Sequence, residues 1–279
     1  MQRGTVVVTG ASTGIGEATA AHLKALGFDV LAGVRKDEDA ERLGGRGLRP
    51  LKLDVTKPDV IARARGEVEQ AGGGRLVGLV NNAGIAISAP LEFIPIDRFR
   101  EQLEVNLVGQ VAVTQALLAF LRAARGRVVN VSSIGGRVAL PLLGPYAASK
   151  FGLEGVSDSL RRELRDLGVT VVVVEPGGIK TPIWRKGNAA ADEMLQDVPP
   201  EAEQLYGKLV DTLRGESRKI EQVRGLPPSA VAEVIGSALT DRKPRTRYLV
   251  GRDAKLRAAV ARVVSDRAMD ALIARALSS

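Results

Sequence analysis

Thr5-Val-Val-Val-Thr-Gly-Ala-Ser-Thr-Gly-Ile-Gly16 is the stretch of sequence that decides the fold. Its first half is a short β-branched run, typical of a buried strand, that ends at Gly10. A helical pattern then opens near Gly14 and continues through Ala25. The stretch therefore predicts a strand, a glycine turn and a helix in immediate succession.

The same alternation continues along the chain. Further strands are predicted at Asp29 to Val34, Leu48 to Leu53, Leu76 to Asn81, Arg127 to Ser132, Val169 to Glu175 and Arg247 to Val250. These runs are apolar without strict alternation, as expected for a parallel sheet that helices cover on both faces. The pattern predicts one doubly wound α/β domain over residues 1–279 with seven parallel strands.

Two segments depart from this rhythm. Residues 180–225 combine several prolines and glycines with polar helical pieces, and an excursion of this length indicates a substrate lid. Residues 252–277 are predicted to form one C-terminal helix, with Leu256, Val260, Val263 and Val264 opposite Arg257 and Arg262. We expect this helix to pack on the body or on a neighbouring subunit.

Composition excludes several kinds of protein. The 279 residues include no cysteine and one histidine, His22, which leaves no disulfide framework and no multi-histidine metal site. The net charge is +8, but residues 241–279 hold 10 basic and 4 acidic side chains, so most of the excess lies in the tail. Aromatic residues make up only 3%, which argues against nucleic-acid binding.

Location follows from the absence of targeting signals. No apolar run of about 20 residues and no signal-peptide pattern is evident, so the expected location is the cytoplasm. Peripheral membrane contact of the basic C-terminal helix is the less favoured alternative.

The glycine turn points to a nucleotide. Gly10, Gly14 and Gly16 permit tight dihedral angles and close backbone approach, and the following helix offers free amides to a pyrophosphate. A plain turn between strand and helix is the alternative, but its place after the first strand favours dinucleotide binding.

The end of the second predicted strand bears on the choice of cofactor. An acidic residue there usually binds the adenosine ribose of NAD(H), whereas this chain has Val34 followed by Arg35 and Lys36. Two cations suit a 2′-phosphate, which favours NADP(H). A solvated helix start beside Asp37 to Asp39 is the alternative, so NAD(H) stays open.

Four further polar residues suggest chemistry. Tyr146 and Lys150 stand four apart in a predicted helix, Pro145 to Leu167, and therefore share one face. Ser133 closes the fifth predicted strand, and Asn106 lies in the helix before it. Strand ends at the carboxyl edge of a doubly wound sheet are where ligands bind.

Together these motifs resemble the short-chain dehydrogenase/reductase family. TGASTGIG, NNAG, Asn106, Ser133, YAASK and PGGIKT occur in the family's order and spacing between about Thr5 and Thr181. Stretches such as GRVALPLLGPYAASKFGLEGVSDSLRREL look like its retinol and hydroxysteroid dehydrogenase branch. The resemblance implies a Rossmann-type, three-layer αβα fold.

The resemblance also implies residue roles. Tyr146 would be the general acid or base, Lys150 would lower its pKa and bind the nicotinamide ribose, Ser133 would hold the substrate oxygen, and Asn106 would anchor a water. The expected cofactor-binding residues are Gly10, Ser12, Thr13, Gly14, Ile15, Gly16, Arg35, Lys36, Asp54, Val55, Asn81, Ala83, Gly84, Tyr146, Lys150, Pro176, Gly177, Ile179 and Thr181. For Ser133, Asn106, Asp54 and NNAG, ordinary capping or turn formation is the structural alternative.

The expected substrate pocket is mostly apolar. Its lining would be Ser133, Val138, Leu140, Leu142, Tyr146, Ile183 and Trp184, which suits a lipophilic alcohol or carbonyl compound such as a retinoid, steroid or acyl compound. The alternatives are a 3-oxoacyl-thioester reductase and a catalytically silent nucleotide-sensing scaffold. The family resemblance further implies a homodimer or homotetramer through the helices at Asp97 to Ala123 and Pro145 to Leu167.

Overall fold

A computed structural model describes residues 3–195 and 199–278. In these ranges seven parallel strands form one sheet in the order β3-β2-β1-β4-β5-β6-β7. The strands are β1 (Thr5–Val8), β2 (Asp29–Val34), β3 (Arg49–Lys52), β4 (Gly78–Asn81), β5 (Arg127–Val131), β6 (Thr170–Pro176) and β7 (Arg247–Val250). The predicted fold class and all seven predicted strands are confirmed; β1, β3, β4 and β5 are one or two residues shorter than predicted, and β6 is displaced by one residue.

Helices cover both faces of the sheet. They are α1 (Gly14–Ala25), α2 (Asp37–Gly45), α3 (Pro58–Gly72), α4 (Ile96–Leu103), α5 (Gly109–Ala124), α6 (Gly144–Glu163), α7 (Ile183–Leu195), α8 (Pro200–Lys219), α9 (Pro228–Thr240), α10 (Arg252–Val260) and α11 (Asp266–Ser278). One buried cluster joins the sheet to α1 and α9 through Leu23 and Ile235. A second joins the opposite face to α3 and α5 through Ile61 and Leu117, which completes the three layers.

The order of the strands creates the site. β1 pairs with β2 on one side and β4 on the other, and the chain leaves the first half of the sheet at this point. In such sheets ligands bind beyond the carboxyl ends of the strands where the direction of winding reverses. The glycine turn after β1 therefore lies at that position.

The helix predicted over Asp97 to Ala123 contains a wider turn. A π-helical turn, Glu104–Val108, joins α4 to α5 and contains Asn106. The continuous helix Ile96–Ala124 is long and apolar enough to cross a membrane by length and composition, which corrects the expectation that the chain contains no such run. A core helix of a soluble protein passes the same test, and Val113, Phe120 and Leu121 of this one are buried against the sheet.

The C-terminal prediction needs a correction. Residues 252–277 form two helices, α10 and α11, which are separated at residues 261–265. The buried face of α10 consists of Ala254 and Ala258, whose small side chains let the helix approach Ile134. Leu256 and Val263, predicted to pack, are 66% and 83% exposed.

The predicted lid segment is largely helical. Residues 180–225 hold α7, α8 and a π-helical turn, Ile220–Arg224; residues 196–198 of this segment lie outside the described part of the chain. α7 begins directly after the Thr181 and Pro182 segment that follows β6. The segment therefore starts at the carboxyl edge of the sheet.

Candidate active site

The glycine turn after β1 is tightly packed on the segment after β4. Gly10 has φ +63°, and a Cβ placed on it would lie 2.7 Å from the Ala83 Cα. A Cβ on Gly16 would lie 2.2 Å from the Gly10 carbonyl oxygen. Because a side chain has no room at either position, the turn keeps its backbone amides open for a ligand.

Asn82 and Thr9 hold this turn together. The Thr9 hydroxyl accepts hydrogen bonds from the amides of Asn82 and Ala83, each at 2.9 Å. The Asn82 side-chain amide donates to the carbonyls of Thr9 at 3.0 Å and Gly10 at 3.1 Å. The NNAG segment is therefore a support for the glycine turn, and Asn82 is a site residue that the sequence reading did not single out.

A cleft of about 500 Å³ opens above the turn. Fourteen of the predicted cofactor residues line it: Gly10, Ser12, Thr13, Gly14, Ile15, Arg35, Lys36, Asp54, Val55, Ala83, Gly84, Tyr146, Lys150 and Thr181. The other five, Gly16, Asn81, Pro176, Gly177 and Ile179, do not line it. The Asn81 side chain instead points into the core, where it donates to Thr114 and Asn130 at 2.8 Å each.

The end of the cleft beside the end of β2 is lined by side chains of both charges. Val34, Arg35 and Lys36 line it, together with Glu38 and Asp39. Lys36 and Glu38 form an exposed ion pair at 3.6 Å, and Arg42 binds Asp39 at 3.1 Å. No ion pair of Arg35 occurs within the described residues, which leaves its guanidinium accessible to a ligand.

Tyr146 lies at the opposite end of the cleft, beside Ser133. Burial raises the pKa of the Tyr146 phenol, and a hydrogen bond with the Ser133 hydroxyl opposes that change. The expected lowering of this pKa is therefore not the net result in the ligand-free protein. Tyr146 is a neutral phenol at neutral pH, which is the form that can donate a proton.

Lys150 lies one helical turn beyond Tyr146. Its ammonium nitrogen is 5.8 Å from the centre of the Tyr146 ring and donates to the Val131 carbonyl at 2.9 Å. Burial lowers the Lys150 pKa to about 8, while the Glu154 carboxylate acts in the opposite direction. Burial and the Glu154 charge thus change the Lys150 pKa in opposite directions, and the resulting pKa lies near physiological pH.

The π-helical turn positions Asn106. Its side chain donates to the Ile85 carbonyl at 2.9 Å and to the Ser149 hydroxyl at 3.1 Å, and it accepts from the Ile85 amide at 2.9 Å. Extra-wide turns of this kind often occur at functional sites. Asn106 therefore links the segment after β4 to α6, the helix that carries Tyr146 and Lys150.

The predicted substrate residues divide into two groups. Ile183 lines the cleft, and the Trp184 ring lies 5.9 Å from the Tyr146 ring. Ser133, Val138 and Leu142 are buried, Leu140 is half-buried, and none of these four lines the cleft. Leu142 has φ +61°, a strained conformation for a branched side chain, in the loop before α6.

Several residues near the site were missed by sequence reading. Arg98, Glu101 and Lys186 line the cleft, and Arg98 pairs with Glu101 at 2.6 Å. Behind Lys150, Arg137 makes a bidentate pair with the buried Glu175, at 2.6 and 3.0 Å. Glu154 belongs to the same group of charges, because it and Glu175 both pair with Arg247. Of these residues, only Glu154 could have been expected near the site from the sequence, since it follows Lys150 by four residues.

Comparison with known proteins identifies the family. The short chain dehydrogenase family model matches residues 4–192. The chain is 42% identical over 259 residues to human retinol dehydrogenase 16, covering 90% of this chain and 81% of that protein. It is 37% identical over 273 residues to an NADPH-dependent 3-dehydrocapnine reductase from Ornithobacterium rhinotracheale, covering 95% and 94%.

Solved structures agree with the fold. A short chain dehydrogenase from Burkholderia cenocepacia J2315, solved in complex with NADP, is 28% identical with a TM-score of 0.72, covering 99% of this chain and 98% of that one. The chain therefore belongs to the short-chain dehydrogenase family of CH–OH oxidoreductases, in the branch that contains retinol and hydroxysteroid dehydrogenases.

Proposed function

We propose that this protein transfers hydride between NADP(H) and a hydrophobic secondary alcohol or its carbonyl partner, with Tyr146 as the general acid or base. The observation that carries the proposal is the buried Tyr146 phenol, hydrogen-bonded to Ser133 and next to Lys150, at one end of a cleft of about 500 Å³. A silent scaffold would not need a buried tyrosine, lysine and serine grouped at one cleft.

The cleft suits a dinucleotide. The cradle at Gly10 and Gly16 admits no side chain, and the amides at the start of α1 are available to a pyrophosphate. Arg35, without an ion pair in the described residues, would bind a 2′-phosphate, while Asp54 and Val55 would face the adenine. When bound, the nicotinamide supplies or accepts the hydride.

The protein's own residues would move the proton. In carbonyl reduction Ser133 holds the substrate oxygen, and the Tyr146 hydroxyl donates its proton to that oxygen. The Lys150 ammonium stabilises the phenolate that remains, because an adjacent cation favours the charged form of an acid. In alcohol oxidation the same groups act in reverse.

The substrate side supports a lipophilic compound. Ile183 and Trp184 lie over the Tyr146 end of the cleft, and residues 180–225 would act as the lid. Arg98 and Glu101, which also line the cleft, form an ion pair, so each neutralises the charge of the other. The relatives named above include a retinol dehydrogenase and a reductase that uses NADPH, in keeping with this proposal.

Turnover with NADPH and NADH, measured across ketones, aldehydes, retinoids, steroids and 3-oxoacyl thioesters, tests the function. We expect NADPH-dependent reduction of a lipophilic carbonyl compound and no turnover by Tyr146→Phe, which should still bind the cofactor. Wild-type turnover by Tyr146→Phe would overturn the mechanism. Activity confined to acyl thioesters would favour the reductase alternative.

We also propose a homo-oligomer that works in the cytoplasm. Ile96, Val108 and Phe151 are exposed apolar side chains on the predicted interface helices, 60%, 48% and 46% accessible, respectively. Exposed apolar side chains on these two helices are the kind of groups that a second copy would cover. Light scattering after size-exclusion chromatography tests it, and a monomer at micromolar concentration would contradict it.

A further inference from the structure

Glu154 lies directly behind the proposed catalytic pair. Tyr146, Lys150 and Glu154 follow one another at intervals of four residues on α6 and therefore share one face of the helix. The Glu154 side chain is only 12% exposed. A carboxylate at this depth needs a partner of opposite charge.

The contacts of Glu154 are unevenly distributed. One carboxylate oxygen, Oε2, accepts a hydrogen bond from Arg247 Nε on β7 at 3.1 Å. The other, Oε1, is buried and receives no hydrogen bond from the residues that the structure describes. Glu154 also packs beside Gly136, where a Cβ would lie 3.2 Å from the Glu154 Cγ and 3.1 Å from the Lys150 carbonyl.

The two arginines nearby are largely committed to other carboxylates. Arg137, in the turn after β5, forms its bidentate pair with Glu175 on β6. Arg247 is shared between Glu154, Asp158 at 2.8 Å and Glu175 at 3.7 Å. Burial and the nearby Glu154 carboxylate together raise the pKa of Glu175, while Arg137 opposes that change. The arginines therefore do not fully neutralise the negative charge of Glu154, which acts on Lys150 as well.

Among the residues that the structure describes, no carboxylate is hydrogen-bonded to the Lys150 ammonium, so a nearby negative charge matters for its protonation. Its one hydrogen bond in the described structure goes to the neutral Val131 carbonyl. Burial has already lowered its pKa to about 8, and Glu154 is the group that opposes this. Loss of the negative charge would lower the pKa further.

We propose that Glu154 is a positioning residue of the reaction, whose carboxylate keeps Lys150 in its ammonium form beside Tyr146 at neutral and mildly alkaline pH. This inference rests on the proposed function, because it assigns a task to Lys150 that only that reaction requires. Glu154 is not among the described residues that line the cleft, so its effect on the reaction would pass through Lys150.

The test is the pH dependence of kcat/KM for carbonyl reduction by the full-length holoenzyme with NADPH. Glu154→Gln keeps the shape of the side chain and removes its charge. We expect the alkaline limb of its profile to move down by about one pH unit or more, as for loss of an opposite charge near a titrating group. Below pH 6, where Lys150 is charged in both proteins, the two should differ by less than about threefold.

Asp158→Asn is the matched control. Asp158 lies one turn further along α6 and shares Arg247, so this variant disturbs the same arginine without removing the charge next to Lys150. We expect the alkaline limb of Asp158→Asn to coincide with that of the wild type. Glu154→Asp keeps the negative charge, so its alkaline limb should lie close to the wild-type position. Should Glu154→Gln not fold, Glu154→Met replaces it, because an apolar side chain of similar size needs no buried partner.

The outcomes separate this inference from the proposed function. An inactive Tyr146→Phe together with a wild-type alkaline limb in the charge-free Glu154 variant overturns the role of Glu154 alone. Equal shifts in the Glu154 and Asp158 variants also overturn it, because the effect would then pass through Arg247. A fully active Tyr146→Phe overturns the proposed function itself.

Discussion

The Asp253 carboxylate on α10 accepts a hydrogen bond from the Gly178 backbone amide at 2.8 Å, across 75 residues of chain. Gly178 belongs to the PGGIKT segment that leaves β6 toward Thr181 and the cleft. A Cβ on the neighbouring Gly177 would lie 2.3 Å from the Asp253 carboxylate, so the glycine at this position lets the carboxylate reach the backbone. The C-terminal part of the chain therefore braces one wall of the candidate site.

We expect Asp253→Ala to weaken NADPH binding by about three- to thirtyfold and to lower the free energy of unfolding by about 1 kcal/mol. A hydrogen bond to a charged group contributes roughly 1.5–3 kcal/mol, part of which here orders the segment before Thr181. Isothermal titration of NADPH measures the change. Asp266→Ala, at the start of α11, is the control and should bind as the wild type does; equal affinity in both variants would contradict the bracing role.

Substitution in the glycine turn should act on stability as well as binding. We expect Gly16→Ala to lower the free energy of unfolding by about 1–3 kcal/mol, because the added methyl group meets the Gly10 carbonyl oxygen at 2.2 Å. Urea unfolding measures it. Gly66→Ala, within α3 with no atom near its Cβ, should instead gain about 0.5–1 kcal/mol. A neutral Gly16→Ala would show that the turn can relax.

The choice of cofactor provides a separate prediction. Arg35→Ala should raise the KM for NADPH about tenfold or more and leave the KM for NADH nearly unchanged, because only NADPH carries the 2′-phosphate. Arg63→Ala, an exposed arginine on α3, serves as the control. An equal change in the KM values for NADPH and NADH would indicate that Arg35 does not bind the 2′-phosphate.

The buried Lys150 makes stability depend on pH in a defined direction. Its pKa is about 8 in the folded protein against 10.5 for the ordinary side chain, so between these values the unfolded chain binds more protons. The contribution of Lys150 to folding therefore improves as pH rises from about 8 to 10.5. We expect the stability advantage of Lys150→Met over the wild type, measured by urea unfolding of ligand-free protein, to shrink across this window.

A constant difference between Lys150→Met and the wild type from pH 7 to pH 10 would contradict that prediction. Tyr146 works in the opposite sense, since burial raises its pKa and its contribution is lost only above its ordinary pKa of 10.0. Running the same series in a Tyr146→Phe background separates the two groups.

Much of the fold could be predicted because it depends on local patterns. The β-branched runs, the glycine turn and the Tyr146 and Lys150 spacing each lie within a few residues of one another, and their periodicity specifies which face is buried. The C-terminal helix was predicted incorrectly for the same local reason. Its helical spacing is genuine, but Ser265 before Asp266 is a typical helix start, and small alanines, not leucine or valine, face the body.

The contacts that adjust the site are set by distant parts of the chain. Asp253 reaches Gly178 because β7 places α10 beside the end of β6. Glu154 on α6 meets Arg247 because α6 packs on β6 and β6 pairs with β7. The pKa of Lys150 and that of Tyr146 follow from burial, which exists only after the sheet and its helices assemble. The residue types and their order along the chain thus determine the fold and indicate which side chains could carry out the chemistry. The protonation of those side chains depends on desolvation and on long-range ion pairs. Both arise only from packing between elements that are far apart in sequence.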